Sequence, residues 1–158
     1  LEDITFSARV GHLQKGHGIA MADFDHDGDL DIVAVMGGWF SGDAFARAVF
    51  ENPGTDGNWL AVRLVGEQSN RFGMGCRIRA TLLDSDGHTQ TLYRQMDSGG
   101  SFGANPLRLH LGLGSSEQVA ELEVFWPASG LRQIVQAIPA NQLIEIHEGQ
   151  AGFRELPW

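Results

Sequence analysis

The sequence has a single cysteine, Cys76, and little positive charge. One cysteine cannot form an intrachain disulfide, and no CxxC pair is present to bind a metal through thiolates. The 11 Lys and Arg residues are outnumbered by 20 acidic residues, which gives a formal charge of −9. Nucleic acids and acidic lipid surfaces carry phosphates that such a protein would repel. We therefore expect no nucleic-acid partner and favour cations as ligands.

Long apolar runs are also missing. No stretch approaches the roughly 20 apolar residues of a membrane-spanning helix, and no signal peptide is visible at the start of the chain. The sequence therefore predicts no membrane span. With 158 residues, of which 42% are hydrophobic and 20% charged, the chain is long enough to bury a core without disulfides.

Glycine is abundant, at 21 residues, and helical periodicity is weak. Short alternating runs are separated by turn-forming residues, which is typical of β-strands. In a first unit we predict four strands, over 4–10, 18–24, 30–36 and 46–52. Residues 43–50 are also compatible with a short helix. In a second unit we predict seven strands, over 59–65, 76–83, 90–96, 107–113, 119–126, 132–138 and 141–148.

The two units meet at ENPGTDGN, where Pro53 and two glycines interrupt the strand pattern. We predict a first unit over 1–54, a second over 55–150 and a C-terminal tail over 151–158. The fold class is all-β, with one four-stranded, propeller-blade-like unit packed with a β-sandwich or barrel-like domain. A lone blade cannot cover both of its faces. It therefore packs on the second unit, associates with copies from other chains, or is the last blade of a truncated propeller.

Five aspartates lie within nine positions, in the sequence DFDHDGDLD. Asp23, Asp25 and Asp27 occupy alternating positions and can converge on one centre, while Gly28 permits a sharp turn. Ca²⁺ prefers about six to eight oxygen ligands from carboxylates, carbonyls and water. The spacing therefore predicts a calcium-binding loop between two strands.

The predicted ligands are all aspartates. Four are predicted to bind through their side chains: Asp23, Asp25, Asp27 and Asp31. The fifth, Asp29, is predicted to bind through its main-chain carbonyl. The loop is not an EF-hand, because Ala34 stands where a bidentate Glu belongs and the flanks are strands rather than helices. Mg²⁺ is disfavoured because it retains its waters and seldom occupies an all-protein cage. A solvated acidic turn without metal is the alternative.

Two stretches of the chain resemble known families. HGIAMADFDHDGDLDIVAVMGG resembles the calcium-binding blade of FG-GAP/VCBS propeller repeats, in which such a loop joins two strands. NWLAVRLVGEQSNRFGMGCRIRA, LRLHLGLG, VFWPASG and NQLIEIHEG are similar to the ASPIC/UnbV domain of cartilage acidic protein-like and bacterial exported proteins. The resemblance implies a β-rich accessory module without catalytic residues and a secreted or cell-surface location. Cys76 departs from the small residue usual there, and the chain is too short for a complete propeller.

Two further groups are candidate ligand contacts. Trp39 and Phe40 lie in a glycine-flanked turn, where aromatic rings could stack on a sugar or contact a protein partner. In SNRFGMG, Asn70 and Arg71 are candidate polar contacts, and the alternative is a turn in which Asn70 caps its own backbone.

The remaining tryptophans, histidines and cysteine favour packing over chemistry. Trp59 and Trp126 fit packing in the core or between the units, and Cys76 fits a small buried hydrophobe. His110 and His147 lie within predicted strands. No nucleophile has a base in a supporting order, so catalysis is left open and a non-enzymatic protein is favoured.

Together these features favour a calcium-binding, secreted β-rich module for adhesion or ligand binding, in which calcium has a structural role. A carbohydrate-binding module, or part of a carbohydrate-active or tailoring enzyme, is the alternative. The expected partners are calcium and a glycan or an extracellular protein.

Overall fold

The computed structural model describes residues 2–38, 40–54, 56–83, 87–100 and 102–157. Within these residues the chain consists of strands, turns and irregular segments, without a helix. No described segment therefore provides a long apolar helix of the kind that crosses a membrane. The predicted all-β fold class is confirmed.

The described residues form eleven strands in three sheets. The strands are β1 (Gly16–Ala22), β2 (Asp31–Met36), β3 (Ala48–Phe50), β4 (Asn58–Val65), β5 (Arg77–Leu83), β6 (Thr89–Gln95), β7 (Leu109–Gly114), β8 (Gln118–Phe125), β9 (Arg132–Pro139), β10 (Gln142–His147) and β11 (Arg154–Leu156). The strand orders are β1-β2-β3 in the first sheet, β11-β10-β4-β7 in the second and β6-β5-β8-β9 in the third. None of these described sheets closes into a barrel.

All seven strands predicted for the second unit are present, as β4 to β10, with ends within two residues of the prediction. The predicted tail contributes an additional strand. β11 pairs antiparallel with β10, which itself runs parallel to β4. Three residues are too few for an alternation pattern to stand out, so only the pairing identifies β11.

The first unit differs from the prediction. Residues 5–9 form turns instead of the strand predicted over 4–10, so the first sheet has three strands rather than four. The backbone of this segment bonds to itself, since the Ala8 N–H donates to the Ile4 carbonyl at 2.8 Å. The helix alternative over 43–50 is also wrong, because Ala48–Phe50 pairs with β2 as β3.

The hydrophobic core consists of side chains from the second and third sheets and the turns next to them. Alternate side chains of strands such as β5, β7 and β8 contribute to it, as a period of two requires. Its largest fully buried members include Trp126, Leu60, Leu64, Ile78, Leu82, Leu111, Leu122, Ile138, Ile144 and Ile146. Cys76 is also fully buried, and burial together with the charge of Glu148 raises the pKa of its thiol to about 11. The packing predicted for Trp126 and Cys76 is confirmed.

The first sheet buries much less apolar surface. Among the described residues before Asn58, Ala34 is the one hydrophobic residue that is buried. Ile19 of β1 and Val49 of β3 are 56% and 65% exposed. A sheet with so small a core gains little hydrophobic stabilisation of its own.

A loop of the second unit covers the outer edge of β1. The Met21 N–H donates to Asn105 Oδ1 at 3.0 Å. The two backbones approach so closely that a Cβ on Gly18 would lie 2.2 Å from the Phe102 carbonyl oxygen, and a Cβ on Gly103 would lie 2.0 Å from the Ile19 carbonyl oxygen. The first sheet is therefore held in place partly by the second unit.

Candidate metal centre and its contact with the second unit

The acidic loop connects β1 to β2, which pair antiparallel up to Ala22 opposite Asp31. Its backbone is left-handed at Gly28, where φ is +99°. Successive aspartates fold over the following backbone, since the Asp27 N–H donates to Asp25 Oδ1 at 3.3 Å and the Asp29 N–H donates to Asp27 Oδ1 at 2.9 Å. These Asx-type contacts hold the loop in a tight turn.

Three carboxylates converge at this turn. One oxygen each from Asp23, Asp25 and Asp27 lies within 4.8 Å of the others. Asp25 and Asp27 are exposed, whereas Asp23 is only 3% exposed. Carboxylates this close repel one another unless a cation or proton lies between them. The arrangement offers the hard oxygen ligands that Ca²⁺ prefers.

Asp23 provides the most informative atom of the cluster. Its Oδ2 accepts a hydrogen bond from the Gly28 N–H at 3.1 Å. Its Oδ1 is buried and has no hydrogen-bond partner among the described residues. Leaving a buried acceptor without a partner costs about 1–3 kcal/mol, and more for a charged group. A bound cation would satisfy this oxygen.

Asp31 and Asp29 lie outside the group of three. Both Asp31 oxygens accept backbone hydrogen bonds, from Phe24 at 3.0 Å and from Asn52 at 2.8 Å. Asp31 therefore ties the loop to the segment that follows β3. Asp29 Oδ2 lies beside Gly54: a Cβ on Gly54 would be 3.0 Å from this oxygen. Side-chain ligation by Asp31 and carbonyl ligation by residue 29 remain predictions.

The loop rests directly on the second unit. A Cβ on Gly28 would lie 1.9 Å from Nε1 and 2.3 Å from Cδ1 of Trp59, so the indole contacts the glycine backbone. Trp59 in turn stacks on His110, with ring centroids 5.8 Å apart and an interplanar angle of 16°. The predicted packing role of Trp59 is confirmed, as a contact between the two units.

His110 lies on β7 opposite Ala61 of β4, close to the loop. Burial lowers the pKa of its imidazole, and the charge of Asp23 and a hydrogen bond with the Gly28 backbone oppose this effect. Its Nδ1 is buried without a hydrogen-bond partner among the described residues. Sequence reasoning placed His110 in a strand but not beside the loop, because the two are about 80 positions apart.

The other predicted contacts do not join this centre. Trp39 lies outside the described residues, and its neighbour Phe40 is 67% exposed. Asn70 Oδ1 accepts hydrogen bonds from the backbone N–H groups of Phe72 and Met74, at 3.0 and 3.4 Å. These are the contacts expected of the backbone-capping alternative. Arg71 is exposed in the same loop.

Sequence reasoning missed Glu148, which is 6% exposed. One of its oxygens accepts the backbone N–H groups of Glu67, Gln68 and Ser69, each at 2.8 Å, and the other accepts the Ser69 and Ser129 hydroxyls. Burial alone would raise the pKa of Glu148, but these hydrogen bonds outweigh it and lower the pKa to about 2. No local motif predicts these contacts, because Glu148 and its partners lie in three separate segments of the chain.

The comparisons with known proteins concern the second unit. A protein-family model described as ASPIC and UnbV matches residues 66–152, which is more than half of the chain. The match begins directly after β4 and includes Glu148 and the loop that it holds, whereas the acidic loop lies outside it. No match is found among curated proteins. On the strength of the matched residues, the chain belongs to the ASPIC and UnbV family.

Proposed function

We propose that the protein is a calcium-binding, secreted β-rich module for adhesion or ligand binding, in which Ca²⁺ has a structural role. One observation carries the calcium proposal: three carboxylate oxygens lie within 4.8 Å of one another, and an oxygen of Asp23 is buried without a partner among the described residues. In this proposal the first sheet is an FG-GAP/VCBS-type blade, and the second and third sheets are an ASPIC/UnbV β-sandwich.

A structural role follows from the small core of the first sheet. A cation that binds only the folded state stabilises it by mass action, by about 2.7 kcal/mol at a concentration 100 times the dissociation constant. Extracellular calcium is abundant enough to fill weak sites, which supports the proposed secreted or cell-surface location. Because Trp59 packs on Gly28, ordering of the loop by calcium would also strengthen its contact with the second unit.

Thermal unfolding with and without a chelator tests the calcium site. We expect EGTA to lower Tm by about 5–10 °C and Ca²⁺ to restore it, because about 2.7 kcal/mol is lost with the ion. Mg²⁺ at the same concentration should restore less. A Tm that responds to neither EGTA nor Ca²⁺ would remove calcium from the proposal.

Two aspartate variants connect this response to the loop. Asp25→Ala removes one of the three converging carboxylates and should abolish the effect of Ca²⁺ on Tm. Asp97→Ala is the matched control: Asp97 is also exposed, loses the same charge, and its Oδ1 accepts the Gly99 N–H at 3.0 Å in the same kind of turn. Calcium should still raise the Tm of this control. If both variants lost the effect of Ca²⁺ on Tm equally, the effect would be due to net charge and not to the acidic loop.

Glycan binding is the second candidate function, and the 67% exposure of Phe40 favours it. An exposed aromatic ring offers a stacking surface for a sugar, and Phe40 is not needed for the core. A glycan array should then show binding that Phe40→Ala removes while Tm stays unchanged. An array without signal would leave a protein ligand as the proposed partner.

A further inference from the structure

Gly28 of the acidic loop is contacted from three directions. Its N–H donates to Asp23 Oδ2 at 3.1 Å. The indole of Trp59 lies against its backbone, since a Cβ on Gly28 would be 1.9 Å from Trp59 Nε1. His110 forms a hydrogen bond with the Gly28 backbone. The first contact comes from the loop itself, whereas the other two come from β4 and β7 of the second unit.

The two contacts from the second unit support each other. The rings of Trp59 and His110 stack with centroids 5.8 Å apart, on strands that pair within one sheet. The backbone of Trp59 is held on both sides by Asn141: the Trp59 N–H donates to Asn141 Oδ1 at 3.1 Å, and the Trp59 carbonyl accepts the Asn141 N–H at 2.7 Å. The indole that contacts Gly28 is therefore fixed within the second unit.

The segment that joins the two units also contacts the loop. The Asn52 N–H donates to Asp31 Oδ1 at 2.8 Å. A Cβ on Gly54 would lie 3.5 Å from Oδ2 of Asp27, one of the three converging aspartates. Trp59 follows shortly after Gly54 in the chain. The acidic loop therefore lies where the two units meet.

The position of Gly28 connects this packing to the predicted metal ligands. Its N–H orients Asp23, whose Oδ1 is buried without a hydrogen-bond partner among the described residues. A loop that is already held in its binding conformation loses less conformational entropy when a cation binds, and this raises its affinity. By thermodynamic linkage, a cation that binds better when a contact is formed also stabilises that contact.

We propose that the second unit sets the calcium affinity of the acidic loop, with Trp59 and His110 as positioning residues that hold Gly28 in place. Calcium in return fixes the first unit to the second. The inference rests on the calcium site proposed above and adds to it a coupling between that site and the packing of the two units.

Calorimetric titration of the intact chain with Ca²⁺ tests the coupling. Trp59→Phe should weaken Ca²⁺ binding by about fivefold and Trp59→Ala by about twentyfold, because the smaller side chains leave Gly28 less firmly held. Tyr93→Ala is the control, since it also removes an aromatic ring from the second unit. Tyr93 is 68% exposed on β6, where it pairs with Arg79. This variant should keep the Ca²⁺ affinity of the wild type within about twofold.

A histidine variant separates the hydrogen bond from the ring stacking. His110→Phe keeps a ring against Trp59 but loses the hydrogen bond with the Gly28 backbone. It should weaken Ca²⁺ binding by about fivefold. If Trp59→Ala fails to fold by Tm, Trp59→Phe and His110→Phe carry the test.

Exchange of the Trp59 indole N–H, followed by NMR, measures the coupling in the reverse direction. Saturating Ca²⁺ should slow this exchange at least about threefold in the wild type, because the loop that covers the indole opens less often. In Asp25→Ala, which lacks one of the converging carboxylates, Ca²⁺ should leave the exchange unchanged. A purely structural role of Trp59 predicts no effect of Ca²⁺ on this hydrogen.

The possible results distinguish the coupling from the calcium site itself. A wild-type chain that binds no Ca²⁺ would overturn both. Equal Ca²⁺ affinity in the wild type, Trp59→Phe and His110→Phe would overturn the coupling alone. Equal weakening in Tyr93→Ala, or indole exchange in the wild type that does not respond to Ca²⁺, would also overturn the coupling and leave the calcium site in place.

Discussion

Gly28 meets two requirements at one position. Its φ of +99° lies in the region that favours glycine, and its missing side chain leaves room for the indole of Trp59. The spacing of the aspartates predicts the first requirement, because a tight acidic loop needs a glycine. The second depends on Trp59, which lies 31 positions further along the chain and is brought there only by the fold.

Gly28→Ala should therefore cost more than an ordinary glycine substitution in a turn. We expect a loss of about 3 kcal/mol in the free energy of unfolding, from backbone strain together with displacement of Trp59. Gly42→Ala is the control: its φ is +88°, but a Cβ there would meet nothing within 4 Å, so strain alone should cost about 1 kcal/mol. Urea unfolding measures both losses. Equal losses would contradict a tight contact with Trp59.

Glu148 is the second residue whose role depends on the fold. Glu148→Gln should lower the free energy of unfolding at neutral pH by about 3 kcal/mol, because an amide nitrogen cannot accept the N–H and hydroxyl donors that the carboxylate accepts. Glu155→Gln, an exposed substitution on β11, should change stability by less than about 0.5 kcal/mol. A similar effect of the two substitutions would contradict the anchoring role of Glu148.

The pH dependence of stability should report the same carboxylate. The pKa of Glu148 in the folded protein is about 2, below its ordinary value of 4.5. Its contribution is therefore fully present above the ordinary pKa and is lost as pH falls from 4.5 towards 2. In urea titrations over this range, Glu148→Gln should lose less stability than the wild type. Parallel curves would show that the Glu148 pKa is not lowered by folding.

Among the elements, the loop over 102–105 and β1 depend on each other. Gly103→Ala would place a Cβ 2.0 Å from the Ile19 carbonyl oxygen, so the loop must move away from the edge of β1. Exchange of the Met21 amide hydrogen, which bonds to Asn105, should then accelerate in hydrogen-exchange measurements. Gly100→Ala meets nothing within 4 Å and should leave this exchange unchanged. Slow Met21 exchange in both variants would contradict the edge contact.

Strand prediction succeeded where a core enforces alternation. In β5, β7 and β8, for example, alternate residues belong to the core of the two larger sheets, so these sequences carry a period of two. Residues 4–10 show a similar alternation without a core to face, and local backbone hydrogen bonds turn them instead. β11 was not predicted, because a strand of three residues can pair with β10 without a recognisable alternation in its sequence.

For the molecule as a whole, one edge of the first sheet has no paired strand among the described residues. β3 is the last strand of its sheet, and Val49 on it is 65% exposed. The predicted self-association through the blade should appear in light scattering as a mean mass that rises with protein concentration. Val49→Lys should suppress the rise, because a charged edge disfavours strand pairing. A monomer mass at every concentration would mean that contacts with the second unit suffice.

The sequence by itself determined the local features: an all-β chain, seven strands of the second unit and a run of aspartates shaped by glycine into a tight loop. These follow from alternation and turn chemistry, which act over a few residues. Only the tertiary structure decided that the loop lies on Trp59 and beside His110, and that Glu148 holds three segments together. Such contacts join residues far apart in the chain, and packing and strand register, rather than local pattern, bring them together.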